Sequence, residues 1–275
     1  MQNAEISVLC RPLDIPFSRL IPPLSSPSWA AARAEGRVDA VAHERQLHAD
    51  TGAAYPWANV LLLLAQCYDP FPAGCGISPY YIASNTFYHK TNALLDALQE
   101  RDIRAERAKI PFRAVFLEAG IGRVGRNALL SIEPYGTRVA LQVLALALED
   151  PIFDPIPARD AWGCGSCTVC QDACPTGAID ESGWHGERCL RAHYYDDPPP
   201  PWVLAHADTL LGCEHCQNVC PRNAHLRAVE PSAETRAALD PARILSGDIA
   251  PALTLVGKNQ KRHLIRSAVV LTKRI

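Results

Sequence analysis

The sequence lacks a dominant charge, a long apolar run and an export segment. Its 27 basic and 29 acidic residues leave a formal charge of −2 over 275 residues, so no whole-chain field advertises a nucleic-acid or membrane partner. The longest apolar stretches, 60–65 and 139–148 with Gln142 inside, fall short of the roughly 20 residues a bilayer-spanning helix needs. The first residues, MQNAEISVLC, carry Glu5 and are soon followed by prolines, which is not a secretory pattern. These absences point to a soluble, cytoplasmic chain with no membrane partner. Apart from two cysteine motifs there is no internal repeat. What is present suffices for a core. Hydrophobic residues make up 48% and charged residues 20%, which excludes disorder, and the length suits one or two domains.

The cysteines carry most of the chemistry. Of the 11 in the chain, Cys10, Cys67 and Cys75 lie in the first half and read as small buried hydrophobes. The others crowd into positions 164–220. A disulfide framework suits a small exported domain, so thiols clustered in a longer, unexported chain point to metal. Cys164-x2-Cys167-x2-Cys170-x3-Cys174-Pro175 has the spacing of a bacterial two-cluster ferredoxin motif. Three closely spaced thiolates wrap one corner of a cubane, and the fourth, before proline, leaves that loop towards a second cluster. Cys213-x2-Cys216-x3-Cys220-Pro221 repeats the motif without its first cysteine, and Cys189 is the substitute. In the crossed pairing of such ferredoxins, one 4Fe-4S cluster takes Cys164, Cys167, Cys170 and Cys220. The other takes Cys174, Cys189, Cys213 and Cys216. The alternative is structural zinc, which also binds four thiolates but needs neither a third cysteine in the loop nor a Cys-Pro exit. His215, inside the second motif, reads as a neighbour of the cluster rather than a ligand.

Around this region the chain alternates apolar runs with punctuation. Residues 11–30, rich in proline and serine, predict extended surface chain. Trp29–His48 has helical periodicity, and 60–68 predicts a buried strand, with a buried helix as the alternative. Tyr88–Arg107 and Phe112–Ala119 predict helices, the first with Leu94, Leu95, Leu98 and Ile103 on one side. The run ending at Asp150 predicts one more buried strand or helix. Closely spaced prolines make 150–160 a linker and 196–202 a polyproline-like spacer. Ile249–Ile275 holds Lys258, Lys261, Arg262, Arg266, Lys273 and Arg274 and no acid. It predicts an amphipathic helix with Leu264, Ile265, Val269 and Val270 packed inward; RNA binding is the competing reading of its charge.

Gly120-Ile-Gly122-Arg-Val-Gly125 formally matches a dinucleotide fingerprint. That motif requires a preceding strand and an acid about 20 residues later; here a helix precedes it and no acid follows at that place. Taken with its surroundings, the turn points elsewhere. AGIGRVGRNALLSIEPYGTRVAL (119–141), CGSCTVCQDACPTGAI (164–179), RCL (188–190) and GCEHCQNVCPRN (212–223) resemble, in that order, the epoxyqueuosine reductases. YPWANVLLLLAQCYDP (55–70) and YHK (88–90) resemble their N-terminal half. That family is a cobalamin-dependent, double-cluster iron–sulfur reductase of a modified tRNA base, related to the reductive dehalogenases. The resemblance implies an α+β fold: an N-terminal α/β cobalamin-binding-type domain over 1–150, a ferredoxin-like double 4Fe-4S cluster domain over 151–225, and a C-terminal helical tail over 226–275. It also implies cobalamin, approached by Gly122, Gly125 and Asn127, where small residues let backbone come close to a flat macrocycle. His89 falls in the matching Tyr-His-Lys stretch; the bland reading of it is a hydrogen-bonded histidine at a helix start.

The chain departs from the family at the proton donor. Where the family carries an aspartate, this chain reads Lys109-Ile-Pro111-Phe-Arg113, with no acid from Lys109 to Leu117. Phe87 stands where an acid commonly precedes the tyrosine, and Arg123 and Arg126 replace a Trp and a Lys. Epoxide deoxygenation needs a proton as well as electrons, which leaves Tyr88 and Glu118 as candidate donors. The expected function is a corrinoid-dependent reductase of a small or nucleoside substrate, supplied by an electron donor such as ferredoxin or flavodoxin, with tRNA a possible partner that the charge does not support. The alternative is a non-catalytic electron-transfer protein or a reductive activator of another corrinoid protein.

Overall fold

In the computed structural model, which describes residues 3–34, 47–153, 164–194 and 196–272, the apolar run after Asn59 is strand β2. It comes after helix α1 (Asn3–Cys10), strand β1 (Phe17–Ile21), helix α2 (Pro27–Ala34) and the one-turn helix α3 (Thr51–Ala54), and itself spans Val60–Cys67. Next come α4 (Pro79–Gln99), β3 (Ala105–Arg107), α5 (Phe112–Glu118), the two-residue strands β4 (Arg123–Val124) and β5 (Leu130–Ser131), and β6 (Val139–Leu146). The sheet runs β1-β2-β6-β3 with every neighbouring pair antiparallel.

Both faces of β2 are covered, which is why its sequence is a continuous apolar run rather than an alternating one. Leu61, Leu63 and Ala65 share a core with Val143 and Ala145 of β6 and Val115 and Phe116 of α5. Val60, Leu62 and Leu64 share another with Ile6 of α1, Leu144 of β6, and Phe87, Leu94 and Leu98 of α4. Each such leucine, isoleucine, valine or phenylalanine contributes roughly 1.5–3 kcal/mol by leaving water. On α4, Phe87, Thr91, Leu94 and Leu98 make one fully buried stripe, and the Thr91 hydroxyl donates to the Phe87 carbonyl at 2.7 Å.

Two expectations shift here. The helix expected over 88–107 begins at Pro79 and ends at Gln99. It stops in a left-handed turn at Asp102 (φ 59°), with Ile103 N–H donating to Leu98 O and Asp102 N–H to Gln99 O. That is a Schellman ending on a residue other than glycine, after which Ala105–Arg107 forms an edge strand. Within the stretch expected to be extended surface chain, Phe17–Ile21 pairs with β2, burying Leu20 and Ile21, and Pro27–Ala34 is helical. The helix expected over Trp29–His48 is described only to Ala34; the rest lies outside the described residues.

The chain clusters into two compact units: 1–67, 87–125 and 129–165 in the first, and 68–86, 126–128 and 166–275 in the second. In this clustering 226–275 falls in the same unit as Cys167 to Cys220, and Cys164 falls in the first. The second unit contains α6 (Val169–Asp172), the hairpin β7 (Ile179–Asp180) and β8 (Gly183–Trp184), α7 (Leu190–His193), α8 (Pro201–His206), α9 (His215–Asn218), α10 (Ala233–Ala238), α11 (Pro241–Leu245), α12 (Ala250–Val256) and α13 (Lys261–Thr272). The spacer expected to be polyproline-like gives way to α8 at Pro201, because a proline suits the first helical position. On α13 the buried residues are Leu264, Ser267 and Ala268. Ile265 and Val269, expected to pack inward, are exposed and Val270 is half-buried; the inward stripe lies one step round the helix. Most of the expected 150–160 linker is outside the described residues. Among the described residues no helix is long and apolar enough to cross a membrane.

Candidate metal centre

The cysteines sit on short elements that cannot persist alone and are set by their surroundings. Cys170 lies buried on α6 and Cys174 just beyond that helix's end. Cys216 lies on α9, and Cys220 comes directly after its C-cap, Val219. Cys189 is the N-cap of α7. Cys213 is preceded by Gly212, a left-handed glycine (φ +75°) where a Cβ would lie 2.8 Å from the Tyr81 ring, so only glycine lets the chain turn there. The Tyr68 hydroxyl lies 3.4 Å from Gln217 Oε1, and Ser78 donates to Glu214 at 2.8 Å; both contacts seat α9.

Cys213 and Cys216 lie within electrostatic reach of other thiols of the motifs. Burial pushes the Cys213 thiol up to about 12, and the nearby Cys189 and Cys174 add to the rise. Burial raises Cys216 as well, followed by the charges of Cys213, Cys189, Cys170 and Cys174. Burial and the neighbouring thiols thus disfavour ionisation of Cys213 and Cys216, a penalty that a cationic core relieves. Backbone amides point at two of these sulfurs. The Ala178 amide donates to Cys174 Sγ at 3.3 Å, and the His215 amide donates to the Cys213 sulfur. Cys170 joins the set through Cys216, and its helix α6 packs against α9. Cys164, Cys167 and Cys220 are half-buried. Among the described residues no three His, Cys, Asp or Glu side chains lie close enough to chelate a single ion.

The His215 ring pairs with Asp208 at 3.0 Å, which raises its pKa. Just before Cys189, Asp180 ties the β7–β8 hairpin together: it pairs with His185 at 2.9 Å and Arg188 at 2.8 Å, and these partners with Ser182 hold its pKa well down. Of the remaining cysteines only Cys10 is buried; Cys67 and Cys75 are half-buried, so the expectation of three buried hydrophobes holds for one.

The glycine turn has a physical reason within its own unit. Ile121 N–H donates to Phe116 O and Gly120 N–H to Leu117 O, so Gly120 caps α5 in a Schellman motif and the chain then enters the β4–β5 hairpin. At Gly122 (φ +71°) a Cβ would meet Ser131 O at 2.6 Å and Leu130 Cδ1 at 3.0 Å. The hairpin's own packing demands this glycine. Gly125 N–H closes the hairpin onto Leu129 O at 3.1 Å, and Asn127 is buried. His89 is exposed at mid-helix on α4 rather than at a helix start, edge-on to Tyr88. Tyr88 is 44% exposed beneath the Arg107 guanidinium, 4.2 Å from its ring centroid. Arg107 is held in turn by Asn92 at 2.7 Å and by Gln142. Glu118 accepts from the Ser28 hydroxyl at 2.9 Å. The Arg107 bracket was not legible in advance, since 107 was expected to end a helix.

An antiparallel α+β unit, together with a unit that gathers cysteines from three segments, defines a double-cluster iron–sulfur protein. Residues 163–223 match the 4Fe-4S double cluster binding domain. The chain is similar to the epoxyqueuosine reductases. It is 35% identical over 144 residues to the epoxyqueuosine reductase of Bacillus subtilis, covering 49% of this chain and 36% of that enzyme. To that of Leadbetterella byssophila it is 31% identical over 186 residues, covering 62% and 60%. These matches span from about a third to three-fifths of the relatives' length. The fold is that of solved epoxyqueuosine reductases. The structure from Streptococcus thermophilus and one of an epoxyqueuosine reductase with an epoxyqueuosine-modified tRNA-Tyr stem loop each give a TM-score of 0.72 at 19% identity, covering 98% of this chain and 80% of those.

Proposed function

We propose that the chain is an iron–sulfur oxidoreductase of the epoxyqueuosine reductase type, with two 4Fe-4S clusters and a corrinoid as cofactors and a small or nucleoside molecule as substrate. The observation that carries this reading is the gathering of Cys174, Cys189, Cys213 and Cys216, each within electrostatic reach of others in the set. In the crossed arrangement these four hold one cluster, and Cys164, Cys167, Cys170 and Cys220 hold the other. The donor set fits: soft thiolates in a low-dielectric place, with backbone amides at Cys174 and Cys213 that tune the potential of whatever they bind. When bound, the clusters supply single electrons and a corrinoid supplies a strongly reducing cobalt centre.

For the corrinoid the resemblance names His89, Gly122, Gly125 and Asn127. Gly122 acts there as the internal support of the hairpin. Tyr88 and Glu118 are the candidate proton donors, Tyr88 being the more exposed and oriented by Arg107. A modified nucleoside within a tRNA stem loop is the substrate class suggested by the solved relative, and a small carrier such as ferredoxin or flavodoxin is the donor. A second reading, an electron-transfer protein or activator without catalysis, is favoured by the lack of any acid from Lys109 to Leu117.

An anaerobic EPR spectrum of the cluster-loaded protein with one equivalent of cob(II)alamin separates the two. A base-off cobalt signal supports the reductase. Unchanged base-on cobalamin beside intact clusters leaves the electron-transfer reading.

A further inference from the structure

We infer that Arg266 on α13 is a positioning residue for the cluster that includes Cys189, an inference that rests on the assignment of Cys189 as a ligand. Cys189 belongs to neither CxxC loop. It stands at the start of α7, a helix of four residues, so the anchoring of the chain just beyond that helix decides where the thiol is held.

The Arg266 guanidinium closes that segment. It donates from Nη1 to Asp196 O at 2.7 Å and from Nη2 to Tyr194 O, a planar fork bridging two carbonyls that a lysine cannot reach together. One turn earlier, Arg262 pairs with Asp197 at 2.6 Å. The Tyr194 side chain is 3% exposed; its hydroxyl donates to Thr209 O and interacts with Ser267. His263 Nδ1 lies 3.3 Å from Arg266 Nη2. Its ring is held neutral, its pKa lowered to about 4 by burial and by Arg266 and Arg262, so it accepts from the guanidinium and helps to aim it.

The other face of the same helix bears on a second ligand. Leu264 and Ala268 share an apolar cluster with Leu210 and Leu211, which lead through Gly212 to Cys213. One helix thus braces the exit from Cys189 and the approach to Cys213, two ligands of the same proposed cluster. This also accounts for arginines at 262 and 266 without a nucleic-acid partner.

The test is iron release to a ferrous chelator under anaerobic, non-denaturing conditions, from the full chain loaded with both clusters. Wild type, Arg266→Ala, Arg266→Lys and Cys189→Ser are compared, with folding checked by far-UV circular dichroism. Loss of a partner that orients a ligand typically costs 10- to 100-fold in affinity. In Arg266→Ala half of the iron should therefore leave about 10- to 100-fold faster while the other half keeps its wild-type rate, and Arg266→Lys should fall between. If Arg266→Ala does not fold, Arg266→Lys decides by the same biphasic criterion. Wild-type kinetics in the folded Arg266 variants, with Cys189→Ser losing half of its iron, overturns the inference and leaves the ligand assignment standing. Equal acceleration of all the iron reduces Arg266 to a general structural role and also overturns it. Full iron and wild-type rates in Cys189→Ser overturn the ligand assignment itself.

Discussion

Gly122→Ala separates a glycine required by the hairpin from one kept small for a cofactor. At Gly122 the backbone is left-handed (φ +71°), which costs an alanine roughly 1–2 kcal/mol. Its new methyl would lie 2.6 Å from Ser131 O, and the nearest side chains, Leu130 and Ile132, stand at 3.0 and 3.1 Å. Ser131 is paired with Arg123 across β4–β5, so the carbonyl cannot withdraw without breaking the hairpin. Overpacking of this kind adds about 1–3 kcal/mol. The sum is a destabilisation of about 2–5 kcal/mol, present with no corrinoid added. Gly74→Ala is the control: its φ is +77° and nothing lies within 4 Å of the added carbon, so only the conformational cost of about 1–2 kcal/mol applies. Urea titration of both variants, followed by far-UV circular dichroism, measures the difference. Equal losses would refute the packing argument, as would a Gly122→Ala protein as stable as wild type until corrinoid is supplied.

Thr51 is fully buried, and its hydroxyl accepts from Leu24 N–H at 2.8 Å and donates to Leu24 O at 2.7 Å; Thr51→Val strands that amide and should cost about 1–3 kcal/mol, read as a lower urea midpoint at unchanged slope. His263 gives a pH dependence of definite sign. Its folded pKa, about 4, lies below the ordinary 6.5 through burial and the charges of Arg266, Arg262 and Arg191, opposed by Asp197. The unfolded chain therefore binds the extra proton between those values, so stability is whole above pH 6.5 and falls as pH drops towards 4. His263→Gln should flatten the melting temperature across that window, and parallel profiles for the two proteins would contradict the assignment.

The parts of the fold legible in the sequence were those where one interaction dominates. Burial on both faces made β2 and β6 continuous apolar runs, and the geometry of a cubane fixed the cysteine spacing. The end of α4 was hidden because its left-handed turn is made by Asp102 instead of glycine. The edge strand β1 was hidden because only Leu20 and Ile21 of its five residues are buried, too short a pattern to stand out from the prolines beside it. At the candidate site, Gly122 was singled out for its expected approach to a corrin, whereas the atoms that crowd it here, Ser131 O and Leu130 Cδ1, are neighbours only after the hairpin forms. Likewise the charge of α13 read as a surface feature, because the carbonyls of Tyr194 and Asp196 leave no mark in a sequence.

The central claim, that eight cysteines hold two 4Fe-4S clusters, is tested most directly by counting iron, acid-labile sulfide and zinc per chain in anaerobically purified protein. The predicted result is about eight irons and eight sulfides per chain, with reduced-cluster EPR signals on adding dithionite. Zinc without sulfide, or iron sufficient for one cluster only after full reconstitution, would contradict it.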